Sequence, residues 1–259
     1  MNPVRRIKSF RDNVNWLSKL TGSKYRAARY LIKAKRKPGL LGEGVYNQLP
    51  LFFRKQDLSA LREVLIDREY AFLKPHIATR VPLRILDVGA HIGTFSLWCL
   101  ATNLAAEIYS VEADPYTFDI LKRNRAPAIE QSMTWHCLNR AAWKDESYLS
   151  FSIEGDSMSH KLSEKGTINV LGAPLSKLFE LSRFQRCDLL KVDIEGAEEV
   201  FLSAEPELLE KVEMLVVEIH PKMCNERAIR ELLARNFPII EDVPGRKSSK
   251  PLVFCRKVE

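Results

Sequence analysis

The sequence predicts an α/β fold in which a mainly parallel sheet carries helices on both faces, and three observations predict it. The run ILDVGAHIG, residues 85–93, reads as an apolar strand closing in an Asp and two glycines. TFSLWCLATNL follows it with apolar residues at helical spacing. Next comes EIYSVEADP, a second apolar strand that ends in Glu112, 25 residues beyond Asp87. Later apolar runs alternate with helical segments, and strands separated by helices pair in parallel.

At the amino end, residues 8–35 read as helix in one or two pieces, broken near Thr21 and Gly22. Lys37, Pro38, Gly39 and Gly42 make a linker. A helix is expected over residues 57–73, where Leu58, Leu61, Leu65 and Phe72 fall at near-helical spacing and Asp57 offers a cap. Pro75 interrupts or ends it, and Pro82 precedes the first strand of the sheet. Residues 133–143, 187–196, 214–221 and 251–258 are further strand candidates, with AEEVFLSAEPELLEKV and NERAIRELLARNF as helices between them. YLSFSI, residues 148–153, alternates and reads as a short extra strand. The polar stretch 154–172 reads as a surface loop or lid near the substrate.

With 259 residues, 46% of them hydrophobic, the chain can bury one large core. No apolar run reaches the roughly 18 residues of a membrane span. MNPVRRIKSF lacks the apolar segment of a secretory signal. Cys99, Cys137, Cys187, Cys224 and Cys255 form no close pair and read as small buried hydrophobes in a reducing compartment, the cytoplasm. The formal charge of +7 is unevenly placed: residues 1–40 hold twelve Lys or Arg against Asp12 alone, leaving 28 basic and 32 acidic residues elsewhere. Residues 1–40 are therefore read as a basic helical extension, and 41–259 as the domain that does the chemistry. Val14, Trp16, Leu17 and Leu20 give the extension a partial apolar stripe between RRIK and KAKRK. It can lie on the anionic inner face of a membrane, where each Lys or Arg contributes about 1 kcal/mol. It can also hold RNA, or pack on the domain as a solvated arm.

Ligands of a doubly wound sheet sit beyond the carboxyl ends of its strands, so the residues placed there decide the chemistry. The spacing G-A-H-I-G departs from the G-x-G-x-x-G that turns a row of amides toward a pyrophosphate. A dinucleotide-dependent dehydrogenase thus lacks its fingerprint, and an adenosine joined to an amino acid fits better. Gly89 and Gly93 would let the backbone fold tightly and approach such a ligand, His91 could pack against it, Asp87 could engage its ammonium, and Glu112 could accept hydrogen bonds from a ribose diol. Lys191, Asp193 and Glu195 close one later strand, and Glu218 and His220 another. A lysine in a strand covered on both faces needs a partner, here Asp193 or Glu218.

Two mechanisms follow from these residues. In one, His220 or Asp193 accepts the proton of a substrate hydroxyl, with His220 favoured by its ordinary pKa of about 6.5. In the other, Asp193 and Glu218, together with His220, hold magnesium or manganese, which lowers the pKa of the hydroxyl. The chain contains no C-x-x-C, H-E-x-x-H, P-loop lysine or G-x-S-x-G motif, so zinc-hydrolase, ATPase and serine-hydrolase readings lack support.

In the joint order of ILDVGAHIGTFS, YSVEADPYTFDILKRN, NRAAW, DLLKVDIEGAEEVFL and LVVEIHP, spanning about residues 80–221, the chain resembles the FkbM family of class I S-adenosylmethionine-dependent methyltransferases. The resemblance implies a Rossmann-like fold with a seven-stranded sheet. It also implies methyl transfer to a hydroxyl oxygen, commonly on a sugar or a polyketide, with S-adenosylhomocysteine as product; a glycan, glycolipid or related small molecule is the expected acceptor. Carried over residue by residue, it puts Gly89, Ala90 and Gly93 around the amino-acid part of the cofactor, with Asp87 near its ammonium. Glu112 would bind the ribose, Ala113 and Asp114 would lie next to the adenine, and residues 139–142, Asn139 and Ala141 among them, would border the far side of that pocket. Lys191, Asp193, Glu195 and Gly196 match the family's K-x-D-x-E-G stretch, whereas Ser176 stands where many relatives carry an Asp. Two rival readings share the fold: an RNA methyltransferase that uses the basic extension, and a binding protein without catalysis.

Overall fold

The computed structural model describes residues 3–37, 39–151, 168–245 and 249–258. Helices α1 (Pro3–Thr21) and α2 (Lys24–Arg36) break where the sequence predicts, at Gly22, which has a positive φ. The Ser23 side chain accepts from the Arg26 N–H and so starts the second helix. A hairpin of β1 (Gly42–Tyr46) and β2 (Leu49–Phe53) then turns through Asn47 and Gln48. Sequence patterning missed it.

The single helix expected over 57–73 is instead a series of short turns. A 3-10 turn (Lys55–Asp57), α3 (Leu58–Ala60), a π turn (Leu61–Ile66), a second 3-10 turn (Ala71–Leu73) and α4 (Lys74–Ile77) follow one another. Leu61 and Leu65 do face the core. The Asp57 carboxylate is drawn back onto the N–H and guanidinium of Arg54.

The main body alternates as predicted: β3 (Leu83–Val88), α5 (Thr94–Thr102), β4 (Ala106–Glu112), α6 (Pro115–Glu130) and β5 (Thr134–Asn139). After them come β6 (Ala141–Ala142), β7 (Tyr148–Phe151), β8 (Ile168–Ala173), α7 (Leu175–Ser182), β9 (Cys187–Val192) and α8 (Glu198–Ala204). The chain closes with β10 (Val212–Glu218), α9 (Glu226–Asn236), β11 (Ile239–Asp242) and β12 (Leu252–Arg256). The seven-stranded sheet runs β11-β12-β10-β9-β3-β4-β5, parallel except for β12, which is antiparallel to both β10 and β11. Chain order reverses between β3 and β9, and a crevice opens at such a switch point.

Two expectations need correction, on residues 133–143 and 154–172, while the short extra strand expected in YLSFSI is present. The run 133–143 divides at Arg140 into β5 and β6, and β6 leaves the main sheet to pair with β8, which also pairs with β7. YLSFSI therefore supplies β7 to this small sheet, while the seventh strand of the main sheet is the short β11. Of the loop expected at 154–172, residues 152–167 lie outside the described residues and 168–172 belong to β8.

Strand alternation sends Ile85 and Leu189 to one face and Leu86, Leu190 and Val192 to the other, and each face carries its own apolar cluster. Trp16, Leu17 and Leu20 of α1 lie buried in the first cluster, with Val14 packed against it. Of the three uses left open for the extension, its apolar stripe serves packing on the domain, where a fully buried Leu contributes roughly 1.5–3 kcal/mol. Cys99, Cys187 and Cys255 are buried, and all five cysteines are free thiols.

Candidate active site

The glycine turn after β3 is tied down on both sides. Gly89 and Ala90 donate their N–H groups to the Val111 carbonyl of β4, and Asp193 N–H donates to the Val88 carbonyl of β3. Gly89 adopts φ +76°, and a Cβ there would overlap the Asp193 carbonyl oxygen, so only glycine permits this approach of β3 and β9. Gly93 folds the backbone tightly, as expected, and also serves the core. At φ +86° it starts α5, and a Cβ would lie 2.7 Å from Leu121 and from the Trp135 ring, so its missing side chain makes room for the core.

Lys191 is 4% exposed and reaches across this turn. Its ammonium donates to the Gly89 carbonyl at 2.6 Å and lies 3.4 Å from Asp87 and 3.8 Å from Asp193. Burial pulls its pKa down, but Asp87 and Asp193 outweigh burial and the net shift is upward. Asp193 is a partner as predicted, and Asp87 replaces Glu218 as the second. Asp87 is fully buried and accepts from Ser96 Oγ at 2.6 Å, in a chain that continues through Ser110 to the indole N–H of Trp135. The fold itself brings the Lys191 ammonium beside Asp87, where the resemblance puts the ammonium of the cofactor.

Glu112 does meet the turn. Its carboxylate accepts from the N–H of His91 at 2.8 Å and from that of Asp114 at 2.9 Å. Burial raises its pKa, while His91 and the two amides pull it back. A carboxylate has about four acceptor sites, so two remain for hydroxyl donors. Asn139 pins the same corner by donating to the carbonyls of Glu112 and Ala113. The Asp114 side chain caps α6 by accepting from Tyr116 and Thr117 N–H. Ala90 and Ala141 are buried beneath these groups.

Sequence reasoning missed the outer support of the turn. His91, at φ +52°, sets Nε2 3.2 Å from Asp57, and Arg54 holds Asp57 through Nε at 3.0 Å and Nη2 at 2.9 Å, with Nη2 also donating to Thr117. Burial would raise the Asp57 pKa, but His91 and Arg54 hold it well below the usual carboxylate range. Asn124 of α6 donates to the Ile92 carbonyl and exchanges hydrogen bonds with the Phe52 backbone, joining the turn to β2. Arg54 and Asp57, three residues apart, form a local capping box, whereas His91, Thr117 and Asn124 join this support from distant parts of the chain.

The second group gathers at the ends of β9 and β10. His220 is 5% exposed; Nδ1 lies 2.8 Å from Glu198, and Nε2 lies 3.2 Å from Glu195 and 3.4 Å from Glu218. Lys250 adds ion pairs to Glu195 at 3.3 Å and to Glu218 at 3.4 Å. Burial lowers the His220 pKa, but Glu195 and Glu198 raise it to about 10, so the ring carries a proton at neutral pH. This overturns the choice of His220 as proton acceptor: an imidazolium has no lone pair to offer. Glu198, buried at the start of α8, is the partner that the sequence did not reveal. Asp193 Oδ1 and His220 Nε2 are buried without a hydrogen-bond partner among the described residues. One donor atom each from Asp193, Glu195 and His220 lies within 4.8 Å of the others, so Glu195 stands in the cation-sized grouping where Glu218 was expected.

Fold and strand-end cluster together define a Rossmann-like class I methyltransferase domain. The family model for the methyltransferase FkbM domain matches residues 87–240, and the chain belongs to that family. The hexuronic acid methyltransferase AglP of Haloferax volcanii is 29% identical over 136 residues, 52% of this chain and 54% of AglP, so the match spans about half of that relative's length. Magnesium protoporphyrin IX methyltransferase from Synechocystis PCC 6803, solved with bound S-adenosylmethionine, has the same fold. It superposes with a TM-score of 0.50 at 11% identity, over 88% of this chain and 91% of that one. The methyltransferase FkbM of Methylobacillus flagellatus KT superposes at 0.49 with 13% identity, over 88% and 59%.

Proposed function

We propose that the chain is an S-adenosylmethionine-dependent O-methyltransferase whose acceptor is a hydroxyl of a glycan or glycolipid, a uronic acid being the class suggested by AglP. The observation that carries this reading is Asp193: its carboxylate stands at the switch point beside the glycine turn, with a buried oxygen that nothing in the described residues engages. In this reading residues 41–259 carry the chemistry and residues 1–40 are an extension.

S-adenosylmethionine supplies, when bound, a methyl group already activated by its sulfonium. Glu112 suits the ribose hydroxyls, being half-buried at the mouth of the turn with acceptor capacity to spare. The cradle of Gly89, Ala90 and His91 stands beside it. Asp193 Oδ1 takes the proton of the acceptor hydroxyl, because an aliphatic alcohol is a poor nucleophile until it loses that proton. Lys191 holds Asp193 and the turn in one register. Glu195, Glu198 and Glu218 keep the His220 ring in place.

The same donors would fit a divalent cation only if its binding displaced the His220 proton, since a ligating ring nitrogen must offer its lone pair. With His220 Nδ1 turned to Glu198, Nε2 is the nitrogen facing Asp193 and Glu195, as in metal sites where a carboxylate orients a ligating histidine. Magnesium or manganese there would lower the pKa of an acceptor hydroxyl. Stripping metal with a chelator is expected to abolish turnover and magnesium to restore it; full activity in metal-free protein would remove the cation from the reading.

The test of function is a panel of acceptors with labelled cofactor: uronic acid glycosides, neutral sugars, lipid-linked sugars and RNA. Label is expected on sugar-containing acceptors. Transfer to RNA alone would contradict the proposal.

A further inference from the structure

The chain holds no acidic residue between Asp12 and Glu43, and Asp12 itself is spent on Arg62 at 2.6 Å. The buried face of α2 consists of Ala27, Tyr30, Leu31 and Ala34. Residues on the opposite side of the helix are Tyr25, Arg29, Ile32 and Arg36, spaced by four, three and four, which stack into one outward strip about 16 Å long. Tyr25 is 73% exposed and Ile32 50%, and Arg29 and Arg36 are exposed beside them. Exposed Lys24, Arg26, Lys33 and Lys37 flank the strip.

We propose that this outward face of α2 docks the protein on a lipid surface rich in anionic headgroups. The proposal stands apart from the methyltransferase reading, since it concerns only where the protein sits. Two features of the strip select a lipid surface over nucleic acid. Ile32 gives RNA nothing to bond or stack on, whereas at a headgroup boundary an aliphatic side chain between two guanidiniums buries apolar area while the arginines meet phosphates. A nucleic-acid groove also interleaves several aromatic rings with its cations, and this strip has only Tyr25. The site is also not the one that composition suggests, because Trp16, Leu17 and Leu20 are locked in the core and α2 presents a separate surface.

Co-sedimentation of the full chain with phosphatidylcholine vesicles, with and without 30% phosphatidylglycerol (about this fraction makes a strongly anionic surface), tests it. Binding is expected only with the anionic lipid and is expected to fall as salt rises. Arg29→Gln/Arg36→Gln should weaken it about 30-fold, since each basic residue near the surface contributes about 1 kcal/mol. Ile32→Ser should weaken it several-fold with no change in the salt dependence. These side chains are exposed, so melting temperature should stay at the parent value, separating lost docking from lost folding. Absence of binding to anionic vesicles, equal binding to neutral ones, or full binding by the double variant overturns the proposal. Loss of RNA binding in the double variant, with no vesicle binding by the parent, overturns it in favour of nucleic acid.

Discussion

The glycine turn and the acidic cluster sit at the same edge of one sheet, yet their charges are arranged in opposite ways. Around the turn the carboxylates are matched by cations: Asp87 faces Lys191, and Asp57 faces Arg54, although Asp87 Oδ1, like Asp193 Oδ1, has no hydrogen-bond partner among the described residues. In the cluster, Asp193, Glu195, Glu198 and Glu218 crowd about His220 and Lys250, and Asp193 Oδ1 and His220 Nε2 are left unsatisfied. A balanced network holds a shape. An unbalanced one, with more carboxylates than cations, is where a proton, a cation or a substrate group lowers the free energy most.

The comparison breaks first at Asp193. Asp193→Asn keeps the shape and removes the basic oxygen, so methyl transfer should fall by about 10²–10⁴-fold while S-adenosylhomocysteine affinity changes little. Radiolabel transfer together with calorimetry reads both quantities. Equal loss of affinity and turnover would place Asp193 with the turn instead of the cluster.

Lys191 should behave the other way. Lys191→Met strands the buried Asp87 carboxylate and is expected to cost about 3–5 kcal/mol of stability, measured by urea unfolding. A variant as stable as the parent would show that the Asp87–Lys191 pair does not hold the turn.

Asp57→Asn is a smaller perturbation of the same network, about 1–3 kcal/mol, with weaker cofactor binding because His91 loses its anchor. The pH dependence has a definite sign. The folded-state pKa of Asp57 is depressed, so its stabilisation is complete above the unfolded carboxyl value of about 4 and is lost as pH falls through the folded value. The difference between parent and variant should therefore be full at pH 7 and begin to narrow only below about pH 4. A constant difference across that range would mean that Asp57 acts through packing and not through charge.

What the sequence disclosed follows the same division. β3, β4, β9 and β10 were legible because strands buried on both faces read as unbroken apolar runs, and the polar residues just after them mark the cleft. The β1–β2 hairpin was not, since GEGVY and LPLFF carry glycine and proline where alternation would be sought. The helical period over 57–73 located the apolar face but not its breaks, because Asp57 is captured by Arg54 three residues before it and, across the chain, by His91. His220 was found by position and misread in chemistry: its ordinary pKa holds only in water, and Glu198, 22 residues earlier on α8, changes it. Partner identity across such distances is not a local property of the chain.

The account rests on Glu112 and the glycine turn forming the two sides of one cofactor site, joined at the His91 N–H. Calorimetric titration with S-adenosylhomocysteine tests that most directly. The parent protein should bind one equivalent, and Glu112→Ala should weaken binding at least about tenfold, the equivalent of 1.4 kcal/mol, through loss of hydrogen bonds to the ribose. No heat of binding from the correctly folded parent, or an unchanged affinity in Glu112→Ala, would contradict it.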